Sequence, residues 1–277
     1  MNASPADHNQ VDRAVVSGDR GGAGTGAGQA TLVAVQRVSK VFGGPQPVAA
    51  LEPTDLSIGT GEFLSIIGPS GCGKSTLLRI IAGLDSATTG TVVYGENVGA
   101  RAGFVFQEPV LLPWLTAVEN VRFPLDTAGM SRRTADEKAY ELIALVGLAG
   151  FENALPRTLS GGMKQRVSIA RALSYDPTLL LMDEPFGALD LLTRDHLNDE
   201  LLRIWTATRK TIVLVTHSVE EAAYLSDRVV VMTQRPGSIK RVYDIALARP
   251  RGEPTKLDPT FHRLMADLRR DLHWEEK

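Results

Sequence analysis

The nine residues GPSGCGKST, 68 to 76, decide how the rest of the chain is read. They satisfy G-x-x-x-x-G-K-[ST], they follow the apolar run FLSII at 63 to 67, and they open KSTLLRIIAGL, with Leu77, Leu78, Ile81 and Leu84 at helical spacing. Strand, glycine loop and helix in that order make a phosphate cradle. The glycines let backbone N–H groups turn inward around phosphate oxygens, and the helix N-terminus adds its partial positive charge. That dipole contributes about 0.3–1 kcal/mol at an exposed site, against roughly 1.5–3 kcal/mol for each charge-assisted hydrogen bond, so the hydrogen bonds should dominate. Gly68, Pro69, Ser70, Gly71, Cys72, Gly73 and Thr76 form the loop and its exit, while Lys74 is placed to reach β- and γ-phosphates and Ser75 to ligate Mg²⁺.

The apolar run LLLMDEP, 179 to 185, ends in two carboxylates. They suit different tasks: Asp183 the shell of the metal, and Glu184 the polarising of a water for in-line attack on the γ-phosphate. Without the loop at 68 to 76, the same pair reads as solvated acids closing a strand. Gln107, after the short strand GFVF, stands before a differently patterned region and suits a side chain that touches Mg²⁺ or water. His217, which closes TIVLVTH, fits either a γ-phosphate contact that orients the attacking water or a histidine satisfied within the core. Two readings also stand for Cys72: a small tolerated loop residue, or a thiol whose pKa is depressed by Lys74 and the helix N-terminus.

TLSGGMKQR, 158 to 166, raises a separate question. Ser160 at the start of a helix is a good N-cap, worth about 1 kcal/mol. Helix stability does not explain Gly161 and Gly162, since glycine costs up to about 1 kcal/mol against alanine inside a helix. Paired glycines do leave the first N–H groups bare, so that another backbone or an anion can approach. The chain therefore offers a second anion site more than eighty residues beyond the first.

The bulk composition is that of an ordinary soluble protein. Its 277 residues amount to about one to two domains, and 43% apolar content is enough for a sizeable core. Thirty basic against thirty-two acidic residues leave a formal charge of −2, so no strong field points to nucleic acid or an anionic membrane. No apolar run approaches the roughly 20 residues that cross a bilayer, and no hydrophobic segment follows basic residues near the start. The expectation is a chain that neither spans a membrane by itself nor is exported. Its single cysteine cannot form an internal disulfide, which suits a reducing cytoplasm.

Residues 1 to about 30, rich in Gly, Ala, Ser and Asp, cannot bury enough surface to offset the entropy of ordering and are expected as a flexible tail. Strand patterning begins with TLVAVQRV at Thr31 and returns in TGTVVYG after the first helix. From Gln107 to about Asp176 the pattern is helical, so an inserted helical subdomain is expected at about 108–176, with TADEKAYELIALVGL its clearest amphipathic piece and SGGMKQRVSIARAL its last helix. TLLLMDEP, TIVLVTH and RVVVM then alternate with helices, the signature of an α/β core. LMADLRRDL, with Phe261 before it, reads as an amphipathic helix in a 251–277 extension.

GPSGCGKST, Gln107, LSGGMKQR, LLLMDEP, the ALD at 188 to 190 and His217 stand in the order of the ATP-binding-cassette ATPases, which the chain resembles over roughly residues 31 to 250. The resemblance implies an α/β P-loop ABC-ATPase core with an antiparallel β subdomain and the inserted α-helical one, hydrolysing ATP with Mg²⁺. In that family two nucleotide-binding domains pair head to tail, and the signature of one faces the γ-phosphate held by the loop of the other. Ser160, Gly161, Gly162 and Gln165 would then serve the ATP of a second copy, and Asp190 would lie at the dimer seam. Phe42 in KVFGG is a candidate to stack on adenine, with a core phenylalanine as the alternative. Met163 and Lys164 depart from the commonest LSGGQ form, and activity is expected to survive the change.

FVFQEPVLLPWLTAVENV, DEPFGALD followed by LTR, THSVEEA and LARPR look like the importer subfamily that serves nitrate, sulfonate, taurine and bicarbonate uptake. That implies two copies on the cytoplasmic face of two permease subunits, supplied by an extracytoplasmic substrate-binding protein. Leu112, Pro113 and Trp114 would receive a permease helix, or Trp114 would simply pack within the insert. A thiamine-precursor pyrimidine also stays open as the solute, because in this family the cassette never touches what is carried. A repair or translation ATPase of the superfamily usually has long coiled coils or tandem cassettes, which this sequence does not show. A small-molecule P-loop kinase would have no use for LSGGMKQR.

Overall fold

The computed structural model describes residues 30–95 and 102–272. Apart from Ala30, the tail expected at residues 1 to 30 lies outside the described residues, as do 273–277 of the C-terminal extension. In chain order the strands are β1 (Thr31–Phe42), β2 (Val48–Gly59), β3 (Phe63–Ile67), β4 (Thr89–Tyr94), β5 (Ala102–Val105), β6 (Leu179–Asp183), β7 (Thr211–Val215), β8 (Arg228–Met232) and β9 (Ile239–Asp244). The helices are α1 (Lys74–Ile81), α2 (Ala117–Thr127), α3 (Arg132–Leu145), α4 (Gly161–Leu173), α5 (Leu191–Thr208), α6 (Val219–Leu225), α7 (Glu253–Lys256) and α8 (Pro259–Leu272).

Two sheets form. An antiparallel sheet has the order β2-β1-β4, and a second has the order β5-β6-β7-β3-β8-β9, parallel throughout except for β9. FLSII, LLLMD and TIVLV are buried at every position, as parallel strands covered on both faces must be. Their alternate residues divide between two cores. Phe63, Ile67, Leu180, Met182, Ile212 and Leu214 face the core shared with α4, α5, α6 and α8. Leu64, Ile66, Leu179, Leu181, Val213 and Val215 face the core shared with α1 and the antiparallel sheet. The period of two thus places one helical layer and one mixed layer on opposite faces.

The helical region expected between β5 and β6 is formed by α2, α3 and α4. Thr116 and Glu119 close a capping box on α2, and Ser131 and Ser160 cap the next two helices through Thr134 N–H and Met163 N–H. Ala139 and Ile143 of α3 join Val167 and Ala170 of α4 in the same apolar cluster as the central strands, so the insert shares a continuous core with the sheet.

Three details differ from the sequence-based expectation. The first strand runs on to Phe42: Val33, Val35 and Val38 are buried, and beyond an irregularity in the pairing between Val35 and Val38 the ladder with β2 continues to the Phe42–Val48 pair. Helix α1 stops at Ile81, which leaves Leu84 exposed in the following turn rather than on the buried face. The segment after residue 250 does not stand apart: Phe261, Met265 and Leu268 of α8 are buried in the main core, and Asp271 accepts from Tyr243 Oη at 2.5 Å and Lys240 pairs with it at 3.3 Å, which ties α8 to the edge strand β9.

Candidate functional site

Strands β6, β7 and β3 are adjacent and parallel, so their C-terminal ends share one edge of the sheet. The loop 68–73 leaves β3 there, Asp183 and Glu184 close β6, and His217 follows β7 by two residues. This is where open α/β sheets hold ligands. Gly71 and Gly73 take left-handed conformations at φ 75° and 99°, which curl the loop into a nest ahead of α1. A Cβ at Gly73 would meet Ala50 O and Leu51 Cδ2, both at 2.7 Å, so the close approach of β2 to the loop also requires glycine. Lys74 is buried, and its ammonium donates to Gly68 O and Pro69 O at 2.9 Å each, spanning the loop from within.

The loop and Glu184, but not Asp183 or His217, line one cleft of about 310 Å³, made by Phe42, Val48, Ala50, Ser70, Gly71, Gly73, Lys74, Ser75, Thr76, Glu184 and Arg235. Phe42 and Val48 are cross-strand partners at the β1–β2 hairpin, and the Phe42 ring is 43% exposed, which excludes the alternative of a core phenylalanine. Arg235 belongs to no motif recognised in the sequence. Its only signal there is the turn-like Arg-Pro-Gly, which carries no chemistry by itself.

Ser75 Oγ donates to Asp183 Oδ1 at 2.6 Å, and Arg79 stands 3.7 Å from the other carboxylate oxygen. Burial pushes the Asp183 carboxyl up, opposed by the Ser75 hydrogen bond and by Arg79. A hydroxyl and a carboxylate side by side form a hard oxygen pair. Among the described residues no group of three or more His, Cys, Asp or Glu could hold a metal ion alone. Two protein oxygens with the remaining positions left to phosphate and water fit a small divalent cation of the Mg²⁺ type.

Glu184 has φ 46°, a left-handed conformation that costs a non-glycine residue roughly 1–2 kcal/mol. It is held by Glu184 N–H donating to Val215 O at 2.9 Å and by Gly187 N–H donating to Glu184 O at 3.1 Å. The bend leads the chain away from β6 and brings Glu184 Oε2 to 3.4 Å from His217 Nδ1. His217 is half exposed, so it is not a histidine satisfied in the core. Gln107 is exposed just beyond β5 and is not among the residues that line the cleft.

Cys72 overturns the idea of an activated thiol. Its side chain is fully buried, and burial pushes the thiol up despite Lys74 close by. Desolvation outweighs the neighbouring charge because the sulfur faces the apolar core below the loop, beside Leu77 and Met232, rather than the cleft.

Ser160, Gly161 and Gly162 do not line the cleft formed by their own chain. Ser160 and Gly161 are exposed at the start of α4, whereas Gly162 is buried. A Cβ at Gly162 would meet Thr193 Cγ2 at 2.9 Å, so close packing against α5 is a second reason for glycine that the sequence did not reveal. Gln165 corrects the expectation that it faces a partner's nucleotide. It is 1% exposed, and its Nε2 donates to Phe106 O at 3.3 Å, which links α4 to the residue before Gln107. Asp190 is exposed and caps α5 by accepting from Thr193 N–H at 3.0 Å, a bond that holds its carboxyl below the usual range. Trp114 is 71% exposed, so it does not pack within the insert.

The sequence profile of the ABC transporter family matches residues 51–187. The chain is 53% identical over 222 residues to an ABC transporter ATP-binding protein of Methanocaldococcus jannaschii, covering 78% of this chain and 83% of that one. It is 48% identical over 243 residues to an aliphatic sulfonates import ATP-binding protein of Pseudomonas savastanoi pv. phaseolicola, covering 88% and 97%. Among solved structures, a dimeric post-hydrolysis ATP-binding cassette bound to ADP and Pi superposes with a TM-score of 0.68 at 35% identity, covering 78% of this chain and 100% of that one.

Proposed function

The chain belongs to the ABC transporter family and is an ATPase, and from that premise we propose that two copies of it clasp ATP between them to drive import of an aliphatic sulfonate or a similar small anion. The observation that carries the pairing is the separation within one chain of the phosphate loop from Ser160 and Gly161. The cleft that holds Lys74 contains neither, and both are exposed at the N-terminus of α4, where bare N–H groups favour an anion. A second copy placed head to tail would bring its α4 to that anion, with Asp190 at the seam. The dimeric relative with ADP and Pi supports this arrangement. The solute class is suggested by the import protein of Pseudomonas savastanoi.

In each site Phe42 would stack on the base, and the loop N–H groups, Lys74, Ser70 and Thr76 would hold the phosphates. Ser75, Asp183 and Gln107 would hold Mg²⁺, which when bound neutralises charge on the β- and γ-phosphate oxygens. Glu184 would accept the proton of the water that attacks the γ-phosphorus, while the bond to the β-phosphate oxygen breaks and ADP leaves. His217 would orient that water and contact the γ-phosphate. Closure of the pair is a population shift driven by the tighter grip of ATP on the closed state.

Among the described residues no helix is long and apolar enough to cross a membrane. Work on a solute would therefore pass through permease subunits, with the chain peripheral at the cytoplasmic face and Leu112, Pro113 and the exposed Trp114 meeting a permease helix. An extracytoplasmic binding protein would deliver the solute. The test is reconstitution of the chain with its permease in vesicles. Hydrolysis should rise when a sulfonate-loaded binding protein is supplied outside, and should fall with the square of concentration when the free chain is diluted. Undiminished turnover per molecule at high dilution would remove the shared site.

A further inference from the structure

Arg235 shares the cleft with Phe42 and Lys74, and the turn that carries it is fixed rather than hung in solvent. Gly237 N–H donates to Ala50 O at 3.0 Å and Glu52 N–H donates to Gly237 O at 2.9 Å. Thr233 N–H donates to Ser238 O, and Ser238 N–H returns to Thr233 Oγ1, both at 2.9 Å. The turn 233–238 is thereby bonded to β2 within a few residues of Val48, the cross-strand partner of Phe42. The same turn abuts the phosphate loop, since a Cβ at Gly237 would collide with Cys72 O. Arg235 is exposed there, and no hydrogen bond or ion pair occupies its guanidinium among the described residues.

An unengaged guanidinium on a bonded turn is a preorganised fork of donors facing a cleft built for an anion. We propose that Arg235 is a further nucleotide-binding residue, holding the part of the nucleotide that ATP and ADP share, where its turn meets both β2 and the phosphate loop. This rests on the reading of the cleft as the ATP site. It adds a contact from the β8–β9 turn to a pocket otherwise built from the β1–β2 hairpin, the phosphate loop and the end of β6.

The experiment is calorimetric titration of the full chain, its Arg235→Ala and Arg235→Lys variants and a Lys74→Ala control with ATP and with ADP. Arg235→Ala should weaken ATP and ADP alike by about tenfold or more, as loss of a charged hydrogen bond does, with Arg235→Lys recovering part of the loss. In turnover the defect should fall on KM rather than kcat. Unchanged affinity for both nucleotides, or a loss confined to ATP, would overturn the assignment. Failure of Lys74→Ala to weaken either nucleotide would instead defeat the reading of the cleft itself. A loss with Lys74→Ala but none with Arg235→Ala would remove Arg235 alone.

Discussion

The carboxylate of Glu184 stands 3.4 Å from the ring nitrogen Nδ1 of His217, across the ends of two adjacent strands. Neither side chain could be so placed by its own strand, since β6 ends at Asp183 and β7 at Val215. The left-handed bend at Glu184 turns its carboxylate toward the histidine, and a hydrogen bond to Val215 O locks the bend. Replacing Glu184 by Gln keeps the shape and removes the base. Glu184→Gln should bind ATP normally, lose hydrolysis by about 10²–10⁴-fold and accumulate ATP-bound dimers on size exclusion. Near-normal turnover would take Glu184 out of the role of base.

His217→Ala tests the other member of the pair. Among the described residues the ring makes no hydrogen bond to the core and is half exposed, so the fold and ATP affinity should be retained. Hydrolysis should fall by roughly 10²-fold, the cost of misplacing a reacting group by about 1 Å. A variant that hydrolyses ATP at the parental rate would leave His217 as a neighbour of Glu184 and nothing more.

Cys72 should be a poor nucleophile. The thiolate is the reactive form, and a thiol pushed above its ordinary value of 9.0 holds less thiolate at pH 7.5. Full burial adds a barrier to access. Alkylation by iodoacetamide at pH 7.5 should be at least about tenfold slower than for an exposed cysteine, and should accelerate as pH rises through and beyond 9. Fast labelling near neutrality would contradict the burial of the sulfur.

Glu221 predicts a pH-dependent gain in stability. It is 4% exposed, accepts from Thr216 Oγ1 and lies 3.6 Å from Arg194, and burial raises its carboxyl above 4.5 despite both partners. A raised acid favours the folded state while protonated and loses that contribution as pH climbs from the unfolded value through the folded one. Glu221→Gln copies the neutral form and can still accept from Thr216. Its Tm should match the parent below about pH 4.5 and exceed it increasingly above that value. An equal or lower Tm at pH 7.5 would show that the Arg194 pair outweighs desolvation.

Much of this protein was legible in one dimension because its decisive features are local. FLSII, GPSGCGKST and the opening of α1 are contiguous, and a strand, a glycine nest and a helix N-terminus need no distant partner to be recognised. The apolar strands 179–183 and 211–215 were equally plain, since burial on both faces leaves no polar position to confuse the pattern. Ser160 as an N-cap and the two adjacent acids at the end of β6 followed from the same short-range rules.

What depended on packing could not be read that way. Whether Cys72 faced the cleft or the core turned on which side of the loop met Leu77, and Gln165 on which side of α4 met Phe106. Gly162 has a reason in Thr193, thirty-one positions later, and Arg235 reaches the cleft only because its turn is hydrogen-bonded to β2. Chain-local rules settle backbone conformation and the chemistry of a motif, because both arise from neighbours along the chain. The direction of a side chain, and with it burial, charge state and access, is set by contacts between segments that only the folded sheet brings together.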